Sequence, residues 1–229
     1  MNIGATLQRL HSSFVNSAGT VVFGMEDGTV SIFGLIFGVA ATTTDTKTVL
    51  IAGASGAAAA AVSMMAGAYL DVETTRDKIS AARASQQAAA GSIALLKSRL
   101  AETGLSSAQS EALAVAVHNN ADATGGLLLA LQGAPEAPLN PMEQALWMLV
   151  ADFLAAAVPI LPFVFLPVLD ARIVSGVVTL ALLIALGVGR AQIARRSIFR
   201  TVTETVSIGV AAAIAGVAIG VFVDRLFSH

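Results

Sequence analysis

Five long runs of apolar residues constrain this chain more than anything else in it. They lie at Thr20–Ala41, Val49–Leu70, Gln144–Leu169, Arg172–Gly189 and Thr205–Val223. A membrane-spanning helix needs about 20 consecutive, mostly apolar residues, and these runs meet that requirement. Lipid offers no water to the backbone N–H and C=O groups, so such segments fold as helices. The composition agrees, with only 12% charged residues and a mean hydropathy of +0.78. A soluble domain carries about twice that charged fraction. Aromatic residues are only 5% of the chain, so Ala, Gly, Val and Leu must do the packing, and small residues let helices approach closely. The expected fold is an all-α integral membrane protein of five transmembrane helices.

The segments between these runs set the expected domains. In "IGATLQRLHSSF", residues 3–14, Ile3, Leu7, Leu10 and Phe14 share one helical face. Residues 1–19 therefore read as an amphipathic segment at the membrane surface. Residues 20–70 hold transmembrane helices 1 and 2, joined by the polar exit loop "TTTDTK" at 42–47. Residues 71–143 are rich in charges, Gln and Ser and contain no run of membrane length. Ile93, Leu96 and Leu100 follow helical spacing there, and Ser106 with Gln109 has the spacing of a capping box. A helical domain of two or three amphipathic helices is expected, closed by the three prolines of "GAPEAPLNP" at 133–141. Residues 144–229 hold transmembrane helices 3–5, with Pro159, Pro162 and Pro167 kinking or breaking the third.

Basic residues set the orientation, because they collect on the cytoplasmic side. With the N-terminus in the cytoplasm, Arg9, Arg76, Lys78, Arg83, Lys97, Arg99, Arg190, Arg195, Arg196 and Arg200 fall on that side. Only Lys47, Arg172 and Arg225 fall on the other. Residues 71–143 are then cytoplasmic and the C-terminus lies opposite. The N-terminus lacks the charged–apolar–small order of a signal peptide, so no cleavable signal is expected.

Two adjacent carboxylates interrupt the first run, in "GMEDGTVSIFG" at 24–34. Glu26 and Asp27 lie about 9–10 Å into the span at 1.5 Å rise per residue. A charge at the centre of a membrane helix costs roughly 2.5–3.5 kcal/mol on insertion scales, so it usually faces a cavity, a partner or a pathway. Adjacent helical positions diverge by about 100°, so at most one of the pair is expected to line a given pathway. Asp27 shares a face with Ser31, and the pairs Gly24/Gly28 and Gly34/Gly38 invite another helix. A plainer reading sets these acids at the headgroup boundary or pairs them with an arginine elsewhere. The second run supplies "SMMAGAY", in which Ser63 offers an oxygen and Met64 and Met65 offer soft sulfurs. Methionine in lipid is usually core; beside an acid it can serve as a soft ligand for a transition metal. Asp152 in the third run has no evident partner and is a candidate for a proton or ion relay. Glu204, four residues after Arg200, reads as a local ion pair.

Other chemistries are excluded by what is missing. No cysteine is present, so disulfides and thiolate metal sites are unavailable. A net charge of −2 does not make a nucleic-acid-binding surface. His11, His118 and His229 lack the spacing of a zinc motif and read as surface residues. No nucleophile triad or phosphate loop is found, and no enzyme is expected.

Several of these stretches together resemble the vacuolar iron transporter family. "EDGTVSIFGLIFGVA" resembles the signature that opens the family's first helix, and "AAAAAVSMMAGAYLDVETTRD" its second helix with a Ser-Met core. "NPMEQALWMLVADFLAAAVPILPFV" is similar to its third helix, and "ALGVGRAQIARRSIFRTVTETVSIGVAAAIAGVAIG" to its basic loop and small-residue fifth helix. The resemblance implies a homodimer whose first helices line a central pathway. It further implies export of ferrous iron, or manganese, from the cytoplasm against protons. It carries the metal-binding aspartate onto Asp27 and the methionine onto Met64. The chain departs from the family pattern at Glu26, which stands where Asn or a similar polar residue is usual. It also departs at Ala68, Ala60 and Gly56 in the second helix, where many or some members carry Glu, Met and Glu. Between 78 and 142 it has only Glu102, Glu111, Asp122 and Glu136, where many members have a glutamate-rich, metal-collecting bundle.

The expected function is therefore export of a divalent transition-metal cation by proton antiport. Asp27, Met64 and Glu26 are the candidate metal residues, and Ser31, Ser63, Met65 and Asp152 line the expected pathway. The expected partners are the lipid bilayer, a second copy of the chain and the metal ion as cargo, with no cofactor and no nucleic acid. The Ala-rich composition points to a bacterial inner membrane. The alternatives are a transporter of a different cation or small solute, and a non-transporting membrane scaffold.

Overall fold

The computed structural model describes residues 8, 11, 13, 14, 17–89, 93–118, 120–131 and 140–227. Most of the expected amphipathic segment, including Ile3, Leu7 and Leu10, lies outside them, as do residues 133–139, His229 and the side chain of His118. Among the described residues every regular element is a helix. In chain order these are α1 (Ala18–Ala40), α2 (Thr46–Ala89), α3 (Ile93–Glu102), α4 (Ser107–His118), α5 (Ala121–Leu131), α6 (Pro141–Ile160), α7 (Pro162–Phe165), α8 (Val168–Ile193) and α9 (Ile198–Phe227). Five of them, α1, α2, α6, α8 and α9, are long and apolar enough to cross a membrane. The protein is an all-helical integral membrane protein.

The helix ends correct the expected spans, and proline and capping chemistry explain where. The third span stops at Ile160 rather than running on to Leu169. Pro162 has no N–H to continue the ladder, so the chain makes the one-turn α7 and restarts at Val168 behind Pro167. Pro159 stays inside α6, and its carbonyl accepts a hydrogen bond from the Ser175 hydroxyl of α8 at 2.8 Å. The second span does not end at Leu70; α2 continues to Ala89. The stretch "DVETTRDKISAARAS" contains no Gly or Pro to stop it and carries a Glu73–Arg76 pair at i, i+3. At its start, Asp45 caps α2 by accepting from the backbone N–H groups of Lys47 (3.2 Å) and Thr48 (3.0 Å).

The residues fall into two compact units, 1–69 with 141–229, and 70–140. In the first, α1 is the central helix, packed on α6, α8 and α9. Its two glycine pairs face two different helices. Gly24 and Gly28 meet α6 at Met148 and Asp152, while Gly34 and Gly38 meet α9 at Ala212 and Gly216. A Cβ on Gly38 would stand 2.6 Å from the Gly216 carbonyl oxygen, so only glycine permits this approach. The rising register in both contacts shows that α6 and α9 run parallel to α1. The core of this unit gathers Ile32, Ile36 and Ala40 of α1 with Val49 and Ala57 of α2, Ala156 of α6, Phe163 of α7 and Ala171 of α8.

The second unit has its own small core of Leu96, Leu100, Ala114 and Leu128. The capping box is present: the Gln109 N–H donates to the Ser106 hydroxyl and Gln109 Oε1 accepts from the Ser106 N–H. Asn120 caps α5 by accepting from the Ala123 N–H at 3.1 Å.

Candidate cation site

Because glycine contacts occupy two sides of α1, its acids are left to the remaining ones. Phe23, Asp27, Ser31 and Leu35 recur every fourth residue; Phe23, Ser31 and Leu35 are exposed and Asp27 is half-buried. Asp27 lines a cavity of about 440 Å³ between the start of α1, the end of α8 and the start of α9. Glu26 lines the same cavity. The expectation that at most one of the two faces a given space is thereby overturned. The cavity wraps α1 from the Phe23 side to the α9 side, which is wider than the 100° separating neighbours.

The two carboxylates are nevertheless held differently. Glu26 accepts a hydrogen bond from Arg190 of α8 at 3.2 Å and another from the Thr205 hydroxyl of α9 at 3.1 Å. Its side chain is only 12% exposed. One carboxylate thus ties three membrane helices together. The turn between α8 and α9 makes this possible. Arg195 takes a left-handed conformation (φ 49°), and the Arg196 N–H returns to the Ala191 carbonyl at 2.9 Å. That closes α8 and reverses the chain within a few residues, so Arg190 and Thr205 arrive side by side.

Asp152 is buried completely, and neither of its carboxyl oxygens has a hydrogen-bond partner among the described residues. It lies against the α1 backbone at Gly28, where a Cβ would stand 2.9 Å from its Oδ1. A carboxyl buried without partners is costly, and a cation or a proton would relieve that cost.

The remaining candidates are placed less closely. Met64 and Met65 are half-buried on α2, Ser63 is exposed on it, and none of the three lines the Asp27 cavity. Ser31 is exposed one turn beyond Asp27. Among the described residues no group of three or more His, Cys, Asp or Glu side chains is placed to hold a metal ion. Glu204 is paired with Arg200 at 3.1 Å and Arg196 at 3.7 Å. Arg190 and Thr205 are the site residues that sequence reasoning missed. The available signal was that Arg190 ends an apolar run and that Glu26 needed a cationic partner.

The pattern of the VIT family matches residues 18–221, from the first residue of α1 into α9. The chain belongs to the VIT family. Among VIT relatives, "Vacuolar iron transporter 1" of Arabidopsis thaliana is 25% identical over 203 residues, covering 85% of this chain and 81% of its own length. "Vacuolar iron transporter" of Centaurea cyanus is 26% identical over 204 residues, covering 85% and 83%. The matched stretch of this VIT chain contains four of the membrane-length helices whole, most of α9, and both acids of the cavity.

Proposed function

We propose that this VIT-family protein carries a divalent transition metal, ferrous iron or manganese, out of the cytoplasm in exchange for protons. Asp27 is the principal ligand, because a carboxylate can hold either a cation or a proton. Met64, which does not line this cavity, is a soft contact elsewhere on the pathway, and Asp152, packed against Gly28 beside Asp27 in sequence, takes part in the relay. The observation that carries this reading is the Asp27 carboxylate itself, half-buried in a membrane-length helix and open to a cavity, with no basic partner of its own among the ion pairs at the site. The excess of basic residues sets the cavity mouth, the N-terminus and residues 71–143 on the cytoplasmic side. A second copy packed on the Asp27–Ser31 face of α1 would shield that carboxylate from lipid, so the working unit in this reading is a homodimer, set in a bacterial inner membrane.

The test is metal efflux from proteoliposomes. Asp27→Asn keeps the shape of the side chain and removes its charge. It should abolish efflux of manganese, and unchanged efflux from that variant sinks the mechanism.

One observation favours a second reading, a transporter of another solute or a non-transporting scaffold. In the second unit, Glu111 is paired with Lys97 and Glu102 with Arg99, so these acids are engaged rather than gathered as metal ligands. Metal-dependent thermal stabilisation separates the readings. A shift with manganese that Asp27→Asn removes supports metal transport, whereas no shift with any divalent ion supports the alternative.

A further inference from the structure

Glu26 and Asp27 face one cavity, yet only Asp27 has its carboxylate available. We infer that Arg190 sets the strength with which this cavity holds a divalent cation, by keeping Glu26 out of the set of ligands. The inference deepens the transport reading above and rests on it.

The geometry carries the point. Arg190 Nη1 lies 3.2 Å from Glu26 Oε2, and the Thr205 hydroxyl lies 3.1 Å from Oε1, so each carboxylate oxygen is already engaged by the protein. The three side chains all line the cavity that Asp27 lines. Arg190 is itself 39% exposed, whereas the Glu26 side chain it holds is 12% exposed. With the pair intact, Glu26 and Arg190 cancel and the cavity offers a cation the single negative charge of Asp27. Without Arg190 it would offer two adjacent carboxylates, and carboxylate count is what sets the affinity of oxygen sites for divalent ions. A carrier needs its cargo held firmly enough to enter and weakly enough to leave. Arg190 is therefore a positioning residue that acts through Glu26, and a cavity with both acids freed would trap its cargo.

The test is binding of manganese ions to the full chain in detergent, followed by calorimetry. Arg190→Gln should bind manganese about tenfold more tightly than the unmodified protein, from the added carboxylate. Glu26→Gln/Arg190→Gln should return to within about twofold of the unmodified affinity, since neither residue of the intact pair binds the cation. Arg190→Lys keeps the charge beside Glu26 and should keep the unmodified affinity. In proteoliposomes Arg190→Gln should lower KM and kcat together, the mark of over-tight ground-state binding. A residue that only held the helices together would weaken binding when removed, not tighten it. Unchanged or weaker binding by folded Arg190→Gln overturns the inference, as does a double variant that stays tight. Loss of affinity in the double variant would instead make Glu26 a ligand, which also overturns it. Should Arg190→Gln not fold, Arg190→Met keeps the length of the side chain and removes its charge, and should tighten binding in the same direction; no tightening by folded Arg190→Met overturns the proposal. If the unmodified protein binds manganese and Asp27→Asn does not, the transport reading stands whatever Arg190 does. If the unmodified protein binds none, both fail.

Discussion

Buried and half-buried carboxylates are defined by what their oxygens already touch, and three acids near one another in this protein differ in that respect. Glu26 has a cation and a hydroxyl, Asp27 has open space, and Asp152 has neither. The acids themselves were legible in the sequence, because charge stands out in an apolar run. Their partners were not. Arg190 is 164 residues from Glu26, and it is one of four arginines between 190 and 200, so the sequence does not say which of them meets Glu26. Outside the membrane, Asp45 is the residue with a clear pH signature. Its hydrogen bonds from the Thr48 side chain and backbone, then from Lys47, hold its carboxyl below the usual carboxylate value. A lowered folded value means the stabilisation is present above the unfolded pKa, about 3.9, and disappears as pH falls through the lower folded one. Thermal unfolding of the detergent-solubilised protein should therefore show Asp45→Ala melting earlier than the unmodified chain at neutral pH. The difference should shrink in strong acid. Asp45→Asn can still cap the helix and should melt between the two at neutral pH, without the pH dependence.

At the scale of elements, the positions of the five spans were readable and their ends were not. Hydropathy reports lipid-compatible sequence, whereas a helix ends where a backbone donor is missing or a turn intervenes. The third span ended early at Pro162, and α2 ran beyond its apolar part because nothing stopped it. The glycine pairs of α1 were legible as contact sites, but not that they serve two different helices. They give a direct contrast. Gly38→Ala would drive a methyl group into the Gly216 backbone, whereas Gly67→Ala on α2 meets nothing within 4 Å. The first should cost several kcal/mol or prevent folding, as overpacking against backbone does. The second should be neutral or stabilise by up to about 1 kcal/mol from helix propensity. Chemical denaturation of the two variants checks this. Arg195 gives the opposite kind of prediction. It holds a left-handed backbone at the turn that delivers Arg190, and its side chain is exposed. Arg195→Gly should stabilise by about 1 kcal/mol, since glycine adopts that conformation without the Cβ penalty.

For the whole molecule, membership of the VIT family and the five membrane-length helices together define a bundle built around α1. The contacts that hold α1 are of two physical kinds. Toward α6 and α9 it touches backbone: a Cβ on Gly28 would meet the Asp152 carbonyl, and Gly34 and Gly38 lie against the carbonyl-bearing chain of α9. Toward α2 it touches the far ends of side chains, with Ile36 over Gly53 and Leu35 over Gly56, and Ile160 of α6 also meets Gly53. Backbone set against backbone has no rotamer with which to yield, whereas side-chain tips can be re-sorted at little cost. So α1, α6 and α9 are joined backbone to backbone, whereas α2, the helix that carries Met64 and Met65, meets them through side-chain tips.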